Sequence, residues 1–250
     1  MSFATILAYY LLLGIIAAGS FFYKRMYNNL TQKNKELLQK KNLIELEAKA
    51  FSSQMNPHFI YNSLSAAQYL IMINENKKAF NYLSDFSILL RQMFENAKKS
   101  QVSIADEIIF VKRYIELERL RFNDSFTYTM NTLNTDESKN YYIPTMMIQP
   151  IVENAIRHGL APKKHNAELK MDIQIKHDLL ICKIDDNGIG LKKDLQSYPK
   201  YEKSALKIIS ERLKMINETS NTNAYISFTD KKASGGEGLL VELGLPIHNI

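Results

Sequence analysis

Leu169-Lys170-Met171-Asp172-Ile173-Gln174-Ile175-Lys176 decides the fold, with Leu180, Cys182 and Ile184 alternating back after His177-Asp178. Apolar and polar residues alternate with period two in both runs, which predicts two antiparallel strands joined at a tight turn, each with one buried face. Further extended segments are expected at Thr127–Thr132, Ile143–Met147, Ala224–Thr229 and Leu239–Leu245. Helices are expected at Ala105–Phe122, from Pro150 to His158, and at Ser204–Glu218. A proline in the first turn suits the second of these helices. Helices on one face of a mixed or antiparallel sheet make an α+β layer domain.

Upstream the period changes to that of a helix. Leu64, Ala67 and Leu70/Ile71 fall at helical spacing between about Phe51 and Ile73, and Asn74-Glu75-Asn76 interrupts them. A second helix is read from Lys77 to Ala97, with Phe80, Leu83, Phe86/Ser87, Leu90 and Phe94 on one side. Such a hairpin buries too little alone, so pairing of two copies into a four-helix bundle is the expected completion. Leu30, Leu37, Ile44 and Phe51 recur every seven residues. Asn34, Lys41 and Ala48 leave the second seam position mostly polar or small, so this stretch reads as a coiled coil or a solvated helical linker.

Phe3 to Tyr23 carries no charge. As a helix it would span roughly 31 Å, the thickness of a hydrocarbon core. A cleaved signal peptide would need a basic start, whereas Lys24 and Arg25 follow the apolar run. That order predicts a single membrane anchor with a short outer N-terminus and the remainder in the cytoplasm. The net charge of +6 does not argue for nucleic acid, because +4 of it lies between Lys24 and Lys49, beside the anchor. Anionic lipid is the simpler partner. The lone Cys182 excludes an intrachain disulfide. The expected organisation is an anchor at 1–25, a juxtamembrane helix at 26–50, a helical hairpin at 51–100 and a layered domain at 101–250.

Three segments offer chemistry. In the first, Gln54-Met55-Asn56-Pro57-His58-Phe59-Ile60-Tyr61-Asn62, an imidazole follows a helix-bending proline, with the Asn62 amide one turn on. In the second, Glu153, Asn154, Arg157 and His158 lie within two helical turns. Asn154 offers a hard oxygen to Mg²⁺, Glu153 can take a proton or hold a metal-bound water, and Arg157 can balance phosphate charge. In the third, Asp185-Asp186-Asn187-Gly188-Ile189-Gly190, a carboxylate able to accept from an adenine amino group precedes glycines that let a ring approach. Singly, each has a plainer reading: a bundle histidine, a solvated helix face, an Asn-Gly hairpin turn. Together they point to phosphoryl transfer from a nucleotide to histidine.

Gln54 to Leu64 resembles the histidine box of LytS-type sensor histidine kinases. Ile148-Gln149-Pro150-Ile151-Val152-Glu153-Asn154-Ala155-Ile156-Arg157-His158-Gly159 resembles that family's asparagine box, and Asp186-Asn187-Gly188-Ile189-Gly190 its first glycine box. The resemblance implies a Bergerat (GHKL) ATP-binding α/β sandwich, a homodimer, autophosphorylation of His58 from Mg·ATP, and transfer to an aspartate of a cytoplasmic response regulator, LytR-type regulators being one candidate class. By motif position, Asn154 would hold Mg²⁺, Asp186 would read adenine, and Gly188 and Gly190 would shape the site beside Arg157 and His158. Glu153 is the candidate general base, with Asn62 orienting. Leu191 to Lys203 would form a nucleotide lid, with Lys200 or Lys203 reaching phosphates. Two departures stand out. Ser204-Ala205-Leu206 precedes Glu211-Arg212-Leu213 where a glycine is usual, and Gly238-Leu239 replaces a glycine-threonine step. They make a catalytically degenerate membrane scaffold the alternative. With two residues ahead of the anchor, input is expected from a neighbouring membrane protein or the bilayer.

Overall fold

A computed structural model describes residues 20–21, 23–35, 57–133, 138–163, 165–176, 178–190, 202–220 and 222–249. The chain divides into two compact units, Met1–Glu47 and Ala48–Ile250. In the first, residues 20–21 and 23–35 are helical. Most of the expected anchor and the heptad positions beyond Leu30 lie outside the described residues, as does most of the expected lid. Among the described residues no helix is long and apolar enough to cross a membrane.

The second unit begins with a helical hairpin, α1 (Pro57–Met72) and α2 (Asn76–Asn96). Asn74 makes the corner at φ 61°, a left-handed conformation that asparagine tolerates. The inward face of α2 is Ala79, Tyr82, Phe86, Leu89 and Met93. This differs from the expected stripe: Phe80 and Phe94 are exposed and Leu83 and Leu90 are half-buried. The large apolar residues marked a neighbouring face, because the inward one begins with a small alanine and a tyrosine that hydropathy underrates.

Strand β1 (Gln101–Ser103) leads directly into α3 (Ile104–Arg121). Ser103 caps α3 by accepting the Asp106 N–H at 3.0 Å, and Asp106 and Glu107 in the first turn face Arg119 and Arg121 in the last. Both features favour a helix here, the cap by satisfying an orphan donor and the charges by opposing the dipole. There follow β2 (Phe126–Asn131), β3 (Tyr141–Pro144), α4 (Gln149–Asn154), a π-helical turn (Ala155–Leu160), β4 (Ala167–Lys176), β5 (Leu179–Asp186), α5 (Glu202–Ser220), β6 (Tyr225–Asp230), β7 (Leu239–Pro246) and β8 (His248–Asn249). The expected extended segment from Ile143 ends early at Pro144, and Met146 turns the chain at φ 62°.

The main sheet has the order β2-β4-β5-β7-β6, parallel between β2 and β4 and antiparallel elsewhere, so the fold is α+β with a mixed sheet. A second, three-stranded antiparallel sheet, β1-β3-β8, ties the end of the hairpin to the end of the chain. Ile173 pairs with Cys182, and Cys182 with Leu243, so one sheet face is continuously apolar. That face belongs to one core with Phe110, Val111 and Ile115 of α3, Ile151 and Val152 of α4, and Ile209 and Leu213 of α5. The hairpin joins it through Phe59, whose ring centroid lies 5.8 Å from Phe86 and 5.5 Å from Tyr114. The opposite face carries ion pairs such as Lys183 with Glu242 at 3.0 Å. The sheet is thus layered on one side, as period-two alternation requires.

Candidate functional site

Asp186 ends β5 on the buried side of the pleat, only 3% exposed. Its Oδ1 accepts the Gly188 N–H at 2.8 Å, and the main-chain N–H of Leu239 also donates to the carboxylate. Burial pushes its pKa up; the Gly188 and Leu239 donors and the Lys231 charge pull it down, while Asp185 pushes it up. The carboxylate is therefore a buried acceptor steadied by main-chain donors, with lone-pair capacity to spare.

Three glycines permit this arrangement. A Cβ at Gly159 would lie 2.6 Å from Asp186 Oδ1, and one at Gly188 would lie 2.2 Å from the Gly159 carbonyl carbon. At Gly238, with φ +90°, a Cβ would meet the Asp186 carbonyl oxygen at 1.9 Å. The Ile189 N–H also donates to the Gly159 oxygen at 3.1 Å. Gly190, at φ +66°, sits beside Asp230 and Lys232. Asn187 acts as a clamp: its Oδ1 accepts the Glu168 N–H at 2.8 Å and its Nδ2 donates to the Asn166 oxygen at 2.7 Å. Asp185 pairs with Lys231.

The asparagine segment lies against this turn. Asn154 is the last residue of α4, where the helix widens into the π-helical turn, and it is half-buried. Such widenings occur frequently at functional sites. Glu153 pairs with Arg157 one turn on, at 2.9 Å. His158 lies within the π turn and is half-buried. The structure thus brings Gly159 of this segment against Asp186 and Gly188, and joins Glu153 to Arg157. His58 lies in the first turn of α1, with Asn62 half-buried on the same helix, and Lys203 in the first turn of α5. Lys200 lies outside the described residues.

Sequence reasoning missed two buried charges that hold the start of α4. Glu107 of α3, 2% exposed, accepts the Ile148 N–H, and burial raises its pKa to about 7 against the pull of that donor and Arg212. Arg212 of α5, 3% exposed, donates through Nη1 to the Thr145 oxygen at 2.8 Å. The Leu239 departure is absorbed: the side chain joins the core and the main-chain N–H serves Asp186. Among the described residues no cluster of three or more His, Cys, Asp or Glu is arranged to hold a metal.

Comparison with known proteins gives these features a class. The histidine kinase family profile matches residues 46–126. The sensor histidine kinase YesM of Bacillus subtilis is 31% identical over 166 residues, covering 66% of this chain and 28% of YesM. The sensor histidine kinase/phosphatase LytS of Staphylococcus aureus is 31% identical over 158 residues, covering 62% of this chain and 26% of LytS. Among solved structures, the blue-light activated histidine kinase of Erythrobacter litoralis aligns at 11% identity and a TM-score of 0.43, covering 81% of this chain and 60% of that one. Residues 46–126 thus match the histidine kinase family, and the chain is similar to sensor histidine kinases of the LytS type. The chain spans less than a third of the length of the curated relatives it matches.

Proposed function

We propose that this protein is an ATP-dependent protein-histidine kinase of a two-component system, phosphorylated on His58 and passing the group to an aspartate of a response regulator. The observation that carries the reading is the meeting of the asparagine segment with the Asp186 turn, glycine against glycine, beside a buried carboxylate held by two main-chain donors.

Bound Mg·ATP supplies the transferable phosphoryl group. Asp186 accepts a hydrogen bond from the adenine amino group, and its desolvated setting makes that acceptor selective, since an unmatched base edge leaves it unpaired. Asn154 holds Mg²⁺ through its amide oxygen, and Arg157 and Lys203 offset phosphate charge. Glu153, paired with Arg157, orients that guanidinium and can receive a proton. His58 attacks the γ-phosphorus through a ring nitrogen, the bond to the leaving ADP breaking as the nitrogen–phosphorus bond forms. Positioning and charge neutralisation supply the rate, as in phosphoryl transfer generally.

A second copy of the chain is the proposed partner of the hairpin, because Tyr61, Met72 and Phe80 are 70%, 80% and 73% exposed along it. Large apolar side chains left exposed along a helical hairpin are what a bundle partner would cover. The GHKL assignment, the domain limits given above, the single-pass membrane anchor and a cytoplasmic catalytic part belong to the same proposal.

The test is incubation of the full chain with γ-labelled Mg·ATP, beside His58→Ala and Asn154→Ala. Acid-labile label on the wild type and on neither variant is the expected result. A folded, nucleotide-binding wild type that takes no label would instead make the chain the degenerate scaffold.

A further inference from the structure

Lys163 is joined by its side chain to two of the segments that meet at Asp186. It follows the π-helical turn, with its own N–H on the Leu160 oxygen at 2.8 Å. Its Nζ donates to the Asn187 carbonyl oxygen at 2.6 Å and to Glu237 Oε2 at 2.8 Å. The lysine side chain is 20% exposed and that of Glu237 73%.

The acceptor on Asn187 matters because of what shares its peptide plane. A peptide unit is planar and trans, so its C=O and the next residue's N–H point in opposite, rigidly linked directions. The Asn187 carbonyl and the Gly188 N–H are one such unit. The lysine holds the carbonyl end, and the other end donates to Asp186 Oδ1 at 2.8 Å. Gly188 has no side chain to resist rotation of that plane. The Asn187 side-chain bonds fix the residue's other end, towards Glu168 and Asn166, and leave this plane to the lysine. A cationic donor on the carbonyl also polarises the plane and strengthens the N–H at its far side.

We propose that Lys163 is a positioning residue for Asp186, acting through the Asn187–Gly188 peptide to keep the carboxylate aimed at the base of a bound adenine nucleotide. It rests on the reading that Asp186 recognises adenine. The lysine touches no phosphate in this role, so its effect is blind to phosphate number.

The experiment measures binding of adenosine, ADP and a non-hydrolysable ATP analogue to the full chain by calorimetry, with thermal unfolding of each variant in parallel. Lys163→Met is expected to weaken all three by the same factor, about tenfold, the scale of one hydrogen bond. Glu237→Gln, which leaves the bond to Asn187, is expected to stay within about twofold on the same scale. The pH at which ADP affinity falls on acidification should move upward in Lys163→Met, because a carboxylate that loses a donor is harder to ionise. Should Lys163→Met not fold, Lys163→Gln carries the same comparison. A loss confined to the ATP analogue would make the lysine a phosphate ligand and overturn the proposal. Unchanged binding, or an unmoved pH edge, would overturn it too. Failure of the underlying reading looks different: wild type and Asp186→Asn would then bind all three ligands alike.

Discussion

Replacing Gly159 by alanine tests the site at its tightest point. The added methyl would lie 2.6 Å from Asp186 Oδ1 and 2.8 Å from its Cγ, whereas ordinary contact begins at 3.4 Å. The carboxylate must therefore retreat by about 0.8 Å, unless the main chain of the π turn yields. The turn has little freedom to do so, because the Gly159 oxygen is held by the Ile189 N–H at 3.1 Å. A retreat of that size away from the Gly188 donor loses the 2.8 Å bond. A hydrogen bond to a charged group contributes about 1.5–3 kcal/mol. If the carboxylate reads the base from its present position, nucleotide affinity should fall roughly 10- to 150-fold. Calorimetry with Mg·ADP measures that loss, and thermal unfolding without nucleotide shows whether the variant is folded. A folded Gly159→Ala protein that binds Mg·ADP within about twofold of the wild type would refute the reasoning.

Two further outcomes follow from the packing around the site. Phe59→Ala removes a ring that is 7% exposed and packed between Phe86 and Tyr114, so it should cost about 3–5 kcal/mol in urea unfolding, while an unchanged midpoint would mean the hairpin does not share the core. Glu107 has a folded pKa raised to about 7 from 4.5, so the native state holds its proton where the unfolded chain has lost it. The stability it contributes is full below 4.5 and is lost as pH rises through 7, about 1.4 kcal/mol per unit and about 3 kcal/mol in all. Glu107→Gln should flatten unfolding free energy across that window; an unaltered slope would place the titration elsewhere.

Where the chain's period is short and both faces differ, the sequence disclosed the structure. Leu169 to Lys176 and Leu180 to Ile184 form the expected antiparallel pair because one face of the sheet is covered and the other carries charge, a register that puts Leu169, Met171, Ile173, Leu180, Cys182 and Ile184 inside. The same rule failed in part in α2, where a small alanine and a tyrosine join Phe86 on the inward face while Phe80 and Phe94 lie outside. Hydropathy ranks residues by size and polarity, whereas packing selects those that fit. The site divides in the same manner. Asp186, Gly188 and Asn154 stand in compact runs whose residue types announce a turn and a polar helix face. Gly159 could be read only as the end of a motif, since what forbids its side chain is a carboxylate on another strand. Lys163 and Glu107 gave no signal at all, one among many lysines and the other among acidic residues at a helix start, where a dipole alone would account for it. Their roles exist only after β5 has been laid beside the asparagine segment and α3 beneath α4. The residues proposed for the chemistry are thus legible from their type, and those proposed to aim them are legible only from the fold, which is why a motif match leaves the second group to be found by substitution.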